Sequence, residues 1–303
     1  MYDVITVGTL TVDMYFQSEN LTAKDNRFEL AMGGKYFTDH FHESLGGGAT
    51  NVAIGLSKHG YRTSLVTMIG QNSFKPMIME KLQDYSVSYI HSKVVEDHLN
   101  ISCILLSNTG EKTVINYQSP HQHLFEEKDD LDYMLRANYI FIGNLPDVSY
   151  TEKIRVLSFL RKNNKKVIMN FGVIDCRRAK EQMMELIKYT DVVIVNGYEF
   201  ADIVKTDYER IHFKKNIIPF YFPEFKEKTF IVTDGKKGSY GYGHGKHFFQ
   251  EPIHPSRIVD STGAGDGYSA GFISEYIKEE DIEKSMLSGA EYAAKILAKI
   301  GAH

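Results

Sequence analysis

The chain has 303 residues, 43% hydrophobic and 24% charged, the balance of an ordinary soluble globular protein of one large α/β domain or two small ones. A formal net charge of −4 gives no electrostatic case for nucleic acid or for an anionic membrane surface. Cys103 and Cys176 sit in no CxxC or Cys/His spacing, which excludes a disulfide framework and a zinc site and fits a reducing cytoplasm.

The first strand is "DVITVG" (3–8), a start unlike a signal peptide, and no run of apolar residues is long enough to span a membrane. Residues 11–46 break the rhythm with "VDMYFQ", "RFEL" and "KYFTDHFHESL". A helix over 50–59 follows, with Gly60 where a left-handed C′ residue belongs, and then a strand over 63–70. Residues 99–118 read as a hairpin: "LNISCILLS", a Thr109-Gly110 turn, "EKTVINYQ". Strands at 138–143, 165–170, 191–196 and 229–235 then alternate with helices over 149–162 and 177–189. The basic run "RKNNKK" (161–166) is a solvated helix end, and "GYGHG" (241–245) a hairpin turn. Helices over 266–277 and 285–300 close the chain, the last apolar at helical spacing. Several strands are continuously apolar, as in a parallel sheet covered on both faces. The expected architecture is one domain, 1–303. It is a three-layer α/β/α sandwich with a mostly parallel central sheet and a small antiparallel β lid inserted from about 11–46 and 99–118.

Neither a Walker A pattern nor a GxGxxG after the first strand is present. Two other glycine-rich stretches each lead into a helix. "LGGGATNVAIGLSKHGYRTSLVTMIGQN" (45–72) has Gly46, Gly47 and Gly48 before a helix start. "DSTGAGDGYSAGF" (260–272) surrounds one carboxylate, Asp266, with glycine and alanine. Glycines there let an anion approach backbone amides at the positive end of a helix dipole.

These stretches resemble the paired signatures of the ribokinase-like (PfkB) family of carbohydrate and nucleoside kinases, and the likeness covers essentially the whole chain. Asn196-x-x-Glu199 is similar to the family's N-x-x-E element, and Thr233-Asp234-Gly235-Lys236-Lys237-Gly238 to its T-x-G-x-x-G nucleotide segment. The resemblance implies transfer of the ATP γ-phosphoryl group to a hydroxymethyl group, a reaction dominated by positioning and electrostatics. Asp266 would be the general base, and the amides of Gly263, Ala264 and Gly265 would stabilise the charge on the transferring group. Glu199 and Asn196 would act on Mg²⁺ through water, with Asn196, Thr233, Gly235 and Gly238 beside the nucleotide. Asp13, Gly47, Gly48 and Asn51 would hold the sugar, and Asp260 and Thr262 a monovalent cation such as K⁺, together with a loop near the C-terminus.

Gly48 stands where ribokinases carry lysine in G-G-K, which speaks against ribose specifically. No extra arginine marks the first signature, which favours an unphosphorylated sugar. The lid stretch 33–45 is rich in aromatics and histidines, which fits lid packing, a homodimer through the lid, or stacking on a nucleobase in a nucleoside kinase. A catalytically silent sugar-binding protein is the remaining alternative, and Asp266 with its intact Gly-Ala-Gly run speaks against it.

Overall fold

The structure, a computed structural model, describes residues 1–18, 21, 23–24, 27–107, 112–120 and 124–303. The expected Thr109-Gly110 turn lies outside the described residues. In chain order the elements that shape the molecule are β1 (Val4–Val7), β2 (Thr11–Gln17), β3 (His40–Gly46), α1 (Gly48–Lys58) and β4 (Thr63–Val66). Next come β5 (Asn100–Leu106), β6 (Lys112–Gln118), β7 (Tyr139–Ile142), α2 (Tyr150–Lys162), β8 (Lys166–Met169) and α3 (Lys180–Lys188). The C-terminal third adds β9 (Val192–Asn196), α4 (Gly197–Val204), β10 (Thr229–Thr233), β11 (Ser239–Gly243), β12 (Lys246–Gln250), α5 (Ala264–Glu279) and α6 (Ile282–Leu297).

An eight-stranded sheet, ordered β12-β11-β10-β9-β8-β7-β1-β4, forms the body. Its pairs are parallel from β4 to β10, and the β11–β12 hairpin closes the edge antiparallel. The continuously apolar strands divide their side chains between two cores, as the two-residue pleat requires. Ile5, Ile140, Val167, Val193 and Val232 pack towards Leu157 of α2 and Leu186 of α3. Val4, Phe141, Ile168, Val192 and Ile231 pack towards Val52 of α1, Ile273 of α5 and Ile296 of α6. Each fully buried aliphatic side chain contributes about 1.5–3 kcal/mol, so both faces are needed for the sheet to hold. The expected three-layer sandwich is the observed one.

The second sheet, β6-β5-β2-β3, draws its strands from the two regions that interrupt the α/β rhythm. It is mixed rather than antiparallel, because β2 and β5 run parallel. Between them the chain passes through α1 and β4 of the body, and that crossover returns it in the same direction. Some limits also differ. The run 63–70 splits after Val66, and Met68–Gly70 turns aside to pair with Lys93–Val95. The last helix starts at Ile282, earlier than expected, because the Asp281 side chain accepts from the Lys284 amide. His244 and Gly245 both have positive φ, the geometry of a two-residue hairpin, as "GYGHG" suggests. Helices at Lys75–Asp84 and Lys128–Met134 were not expected.

Candidate active site

α1 and α5 share one core through Val52, Leu56, Ala270 and Ile273, and this brings Asn51 against Asp266. Gly263 is the N-cap of α5, left-handed at φ 73°, with no side chain bonded to the first-turn amides. A Cβ on Gly263 would lie 2.2 Å from that of Ala302, so this glycine serves the packing of the C-terminal segment as well as the turn. Gly265 differs, because a Cβ there would meet open space, on the side where the chain encloses a cavity. Removal of side chains for an approaching anion therefore describes Gly265, while Gly263 has an internal reason.

Asp266, in the first turn of α5, accepts from Asn51 Nδ2 at 2.7 Å. Burial raises its carboxyl above the ordinary range, and the Asn51 bond only partly offsets this. Asn51, expected at the sugar, thus commits its amide nitrogen to the Asp266 carboxylate. Its buried Oδ1 has no hydrogen-bond partner among the described residues. Gly48 borders the same carboxylate, with a Cβ position 3.4 Å from Asp266 Oδ1.

Asp13 lies inside β2, buried, opposite Ser44 of β3 and Ser102 of β5. Burial, with the nearby charges of Asp260 and Asp266, pushes its carboxyl up to about 6, against the opposing effects of the Ser102 hydrogen bond and the Lys112 charge. A Cβ on Gly46 would fall 2.1 Å from Asp13 Oδ2, so the first glycine of the triplet makes room for this acid. Gly47, at φ 94°, caps α1 directly over the Thr9 carbonyl.

Thr233, Gly235 and Gly238 join Ala264 and Gly265 around a cavity of about 320 Å³. Ala290, Ala293 and Ala294 of α6 supply a smooth apolar wall, a feature the sequence showed only as a helical core pattern. The cavity is mostly apolar and reaches the start of α5 at Ala264 and Gly265. Asn196 is not among its lining residues. Asn196 and Glu199 instead cap α4 reciprocally, Asn196 Oδ1 accepting from the Glu199 amide at 2.9 Å and Glu199 Oε2 from the Asn196 amide at 2.8 Å. Burial raises the Glu199 carboxyl, the Asn196 amide opposes this, and the charges of Asp266 and Asp202 add to the rise. A divalent cation held near Glu199 would favour its charged form. Among the described residues no three carboxylate, imidazole or thiolate groups form a protein-only cage, so such an ion would need water and nucleotide oxygens.

Asp260 and Thr262, expected at a monovalent cation, are engaged by groups of the protein itself. Asp260 is wholly buried, and its Oδ1 accepts from Lys112 Nζ at 3.1 Å, the Thr262 hydroxyl at 2.7 Å and the Thr262 amide at 2.9 Å. Its Oδ2 accepts from the Gly301 amide at 3.2 Å. Thr262 Oγ1 also accepts from Lys112 Nζ. The ammonium of Lys112 thus holds both side-chain oxygens on which the K⁺ expectation rested. Lys112 escaped the sequence reading, since nothing in "EKTVINYQ" separates it from any edge-strand lysine.

The family model described as pfkB family carbohydrate kinase matches residues 1–303. A nucleoside kinase of Methanocaldococcus jannaschii is 26% identical, the alignment covering 99% of this chain and 92% of the relative. A 5-dehydro-2-deoxygluconokinase of Mesomycoplasma hyopneumoniae is also 26% identical, over 98% of this chain and 88% of the relative. Among solved structures, Arabidopsis thaliana ribokinase complexed with ribose and ATP superposes with a TM-score of 0.76 at 21% identity, over 99% of this chain and 94% of that one.

Proposed function

The chain belongs to the pfkB family of carbohydrate kinases, ATP-using phosphotransferases with an alcohol group as acceptor, and on that premise we propose the roles of its residues and the class of its sugar. The acceptor is an unphosphorylated sugar whose hydroxymethyl group lies between Asp266 and the start of α5. Asp266 takes the hydroxyl proton as the oxygen attacks the γ-phosphorus. Its raised pKa, caused by burial, makes it a better base than an exposed aspartate. The Gly265 amide, with that of Ala264 once it leaves its long 3.5 Å bond to the Ser261 carbonyl, receives the charge that spreads over the transferring phosphoryl oxygens. Asp13 accepts two sugar hydroxyls, and Asn51 Oδ1 a third. The adenine lies in the cavity walled by Gly235, Gly238 and Ala294. Glu199 and Asn196 would hold Mg²⁺ through water, and the ion would neutralise charge on the β- and γ-phosphates.

One observation carries this reading: Asn51 of the first glycine-rich stretch donates to Asp266 of the second across 215 residues of sequence, next to Ala264 and Gly265, which line an apolar cavity. Two carboxylates, Asp13 and Asp266, face the acceptor region, and the nearby Lys112 is already paired with a third, Asp260. A sugar phosphate would be repelled there. A second reading, a nucleoside acceptor, is favoured by the Tyr15–His42 ring pair (centroids 5.9 Å apart), which shares the Asp13 face of the lid sheet. We also assign the outer lid face to a homodimer and the protein to a reducing cytoplasm, which two free cysteines suit.

ADP release should be measured over pentoses, hexoses and ribonucleosides with Mg²⁺ and ATP. Turnover with a free sugar and none with ribonucleosides supports the first reading, and the reverse supports the second. ADP release with no acceptor in the panel would overturn both.

A further inference from the structure

Asp260 is a wholly buried carboxylate at the start of the loop that runs through Thr262 into the Gly263 cap of α5, so its counter-charge bears directly on the phosphoryl-binding amides. Burying an anion is costly unless a cation and hydrogen bonds compensate it. Here the compensation arrives from the other sheet. Lys112 lies on β6, the lid's edge strand, opposite Leu106 of β5, and its Nζ bonds both Asp260 Oδ1 and Thr262 Oγ1. A K⁺ ion on those two oxygens and the lysine ammonium cannot coexist, because they would occupy the same space with the same charge.

We infer that Lys112 is a built-in monovalent cation: its ammonium replaces free K⁺ beneath the anion-binding loop and ties the position of the lid to the shape of that loop. Lys112 is a positioning residue, since it touches Asp260 and Thr262 rather than the reacting atoms. The inference rests on the kinase reading above for its catalytic consequence, but the cation question stands apart from it. A merely structural ion pair would cost stability when broken and would create no response to K⁺.

The test compares KCl with tetramethylammonium chloride at equal ionic strength, for the wild type and for Lys112→Met. Wild-type kcat should change by less than about twofold. Lys112→Met should lose about tenfold or more, the scale of a charge-assisted hydrogen bond, and should recover in part with K⁺ or NH₄⁺. The melting temperature gives a second readout that needs no substrate: K⁺ should raise it in Lys112→Met and leave the wild type unmoved. Direct ²⁰⁵Tl⁺ NMR on the wild type, which involves no variant, should show no site-bound ion. Several-fold activation of the wild type by K⁺, a bound Tl⁺ in the wild type, or a folded Lys112→Met as indifferent to K⁺ as its parent would each overturn the inference. If no acceptor is phosphorylated, the melting and NMR arms still decide the cation question, so the two failures are distinguishable.

Discussion

Gly47–Asn51 and Gly263–Asp266 reach the site as the first turns of α1 and α5, while Asp13, Ser102 and Lys112 reach it from three strands of the four-stranded lid sheet. The helical wall is local: a few consecutive residues supply the turn, the amides and the carboxylate, and the helix behind them is packed into the body. The lid wall exists only through register, with Asp13 opposite Ser44 on one side and Ser102 on the other. A pairing slip of one residue would turn all of these side chains to the outer face. Chemistry that demands fixed geometry is therefore expected on the helices, and recognition that tolerates adjustment on the lid. The largest effect should come from the helical wall. Asp266→Asn should lower kcat by roughly 10²–10⁴, the contribution of a general base. ATP affinity should hold or rise slightly, since a negative charge facing the γ-phosphate is gone. Gly263, not Asp266, is the N-cap, so a purely structural Asp266 would contribute the Asn51 hydrogen bond, which asparagine can also accept, and a dipole term of about 0.3–1 kcal/mol. A folded variant keeping more than about a tenth of kcat would reduce Asp266 to that role.

The lid wall should show its effect in binding. Asp13→Ala should raise the acceptor KM by roughly ten- to a hundredfold, because charge-assisted hydrogen bonds are worth about 1.5–3 kcal/mol each. The KM for ATP should stay within about twofold, since no residue of β2 lines the cavity proposed for the nucleotide. Steady-state kinetics with each substrate varied in turn would separate the two. An unchanged acceptor KM would leave Asp13 as a buried acid without a ligand.

What could be read from the sequence follows the same division. The helix starts were legible because glycine and the acid lie within one short stretch, and the body strands because both faces of each are apolar. Asp260 and Thr262 were legible as a pair, but their partner was not, since Lys112 lies 148 residues from Asp260 and reaches it only through strand pairing. Asn196 and Glu199 illustrate a different case. Their spacing is that of a capping box, and the structure shows that role directly, while any role at a metal depends on a ligand. The small residues of α6 that wall the cavity were legible as helix but not as a binding surface, because a core stripe and a flat wall share one periodicity.

The raised pKa of Asp13 yields a smaller, pH-dependent effect that separates fold from function. The carboxyl moves from its ordinary 3.8 to about 6 in the folded chain, with burial the main cause. Between these values the native state binds more protons than the unfolded chain, so this residue's contribution to stability falls as pH rises through the window. Sugar hydroxyls donate to the charged form, so acceptor affinity should rise over the same window and level off above about pH 6. Stability by chemical denaturation and acceptor affinity, each followed from about pH 4.5 to about pH 7.5, should therefore trend in opposite directions. Asp13→Asn should flatten both. Parallel trends, or a persistent slope in Asp13→Asn, would assign the titration to another group.

The smallest effect on turnover should come from the lid's outer face. Strand alternation sends Phe16, Phe41, Ile115 and Tyr117 away from Asp13. Phe16 and Phe41 pair there with ring centroids 5.3 Å apart, while Phe41, Ile115 and Tyr117 remain 56%, 61% and 59% exposed. Phe41 therefore cannot stack on a base held at Asp13 in its own chain, which removes one of the aromatics from the nucleoside reading. Beside the open edge of β6, such a face suits a second copy meeting lid to lid. Ile115→Asp combined with Tyr117→Asp would bury two carboxylates in that contact and should give a monomer by sedimentation, while the wild type sediments as a dimer at micromolar concentration. With the helical wall untouched, kcat should change by less than about threefold, well below the Asp266 effect. A monomeric wild type would remove the dimer. A double variant that stayed dimeric would move the interface elsewhere, and a monomer with kcat reduced as far as in Asp266→Asn would mean that the lid takes part in the chemistry as well as in recognition.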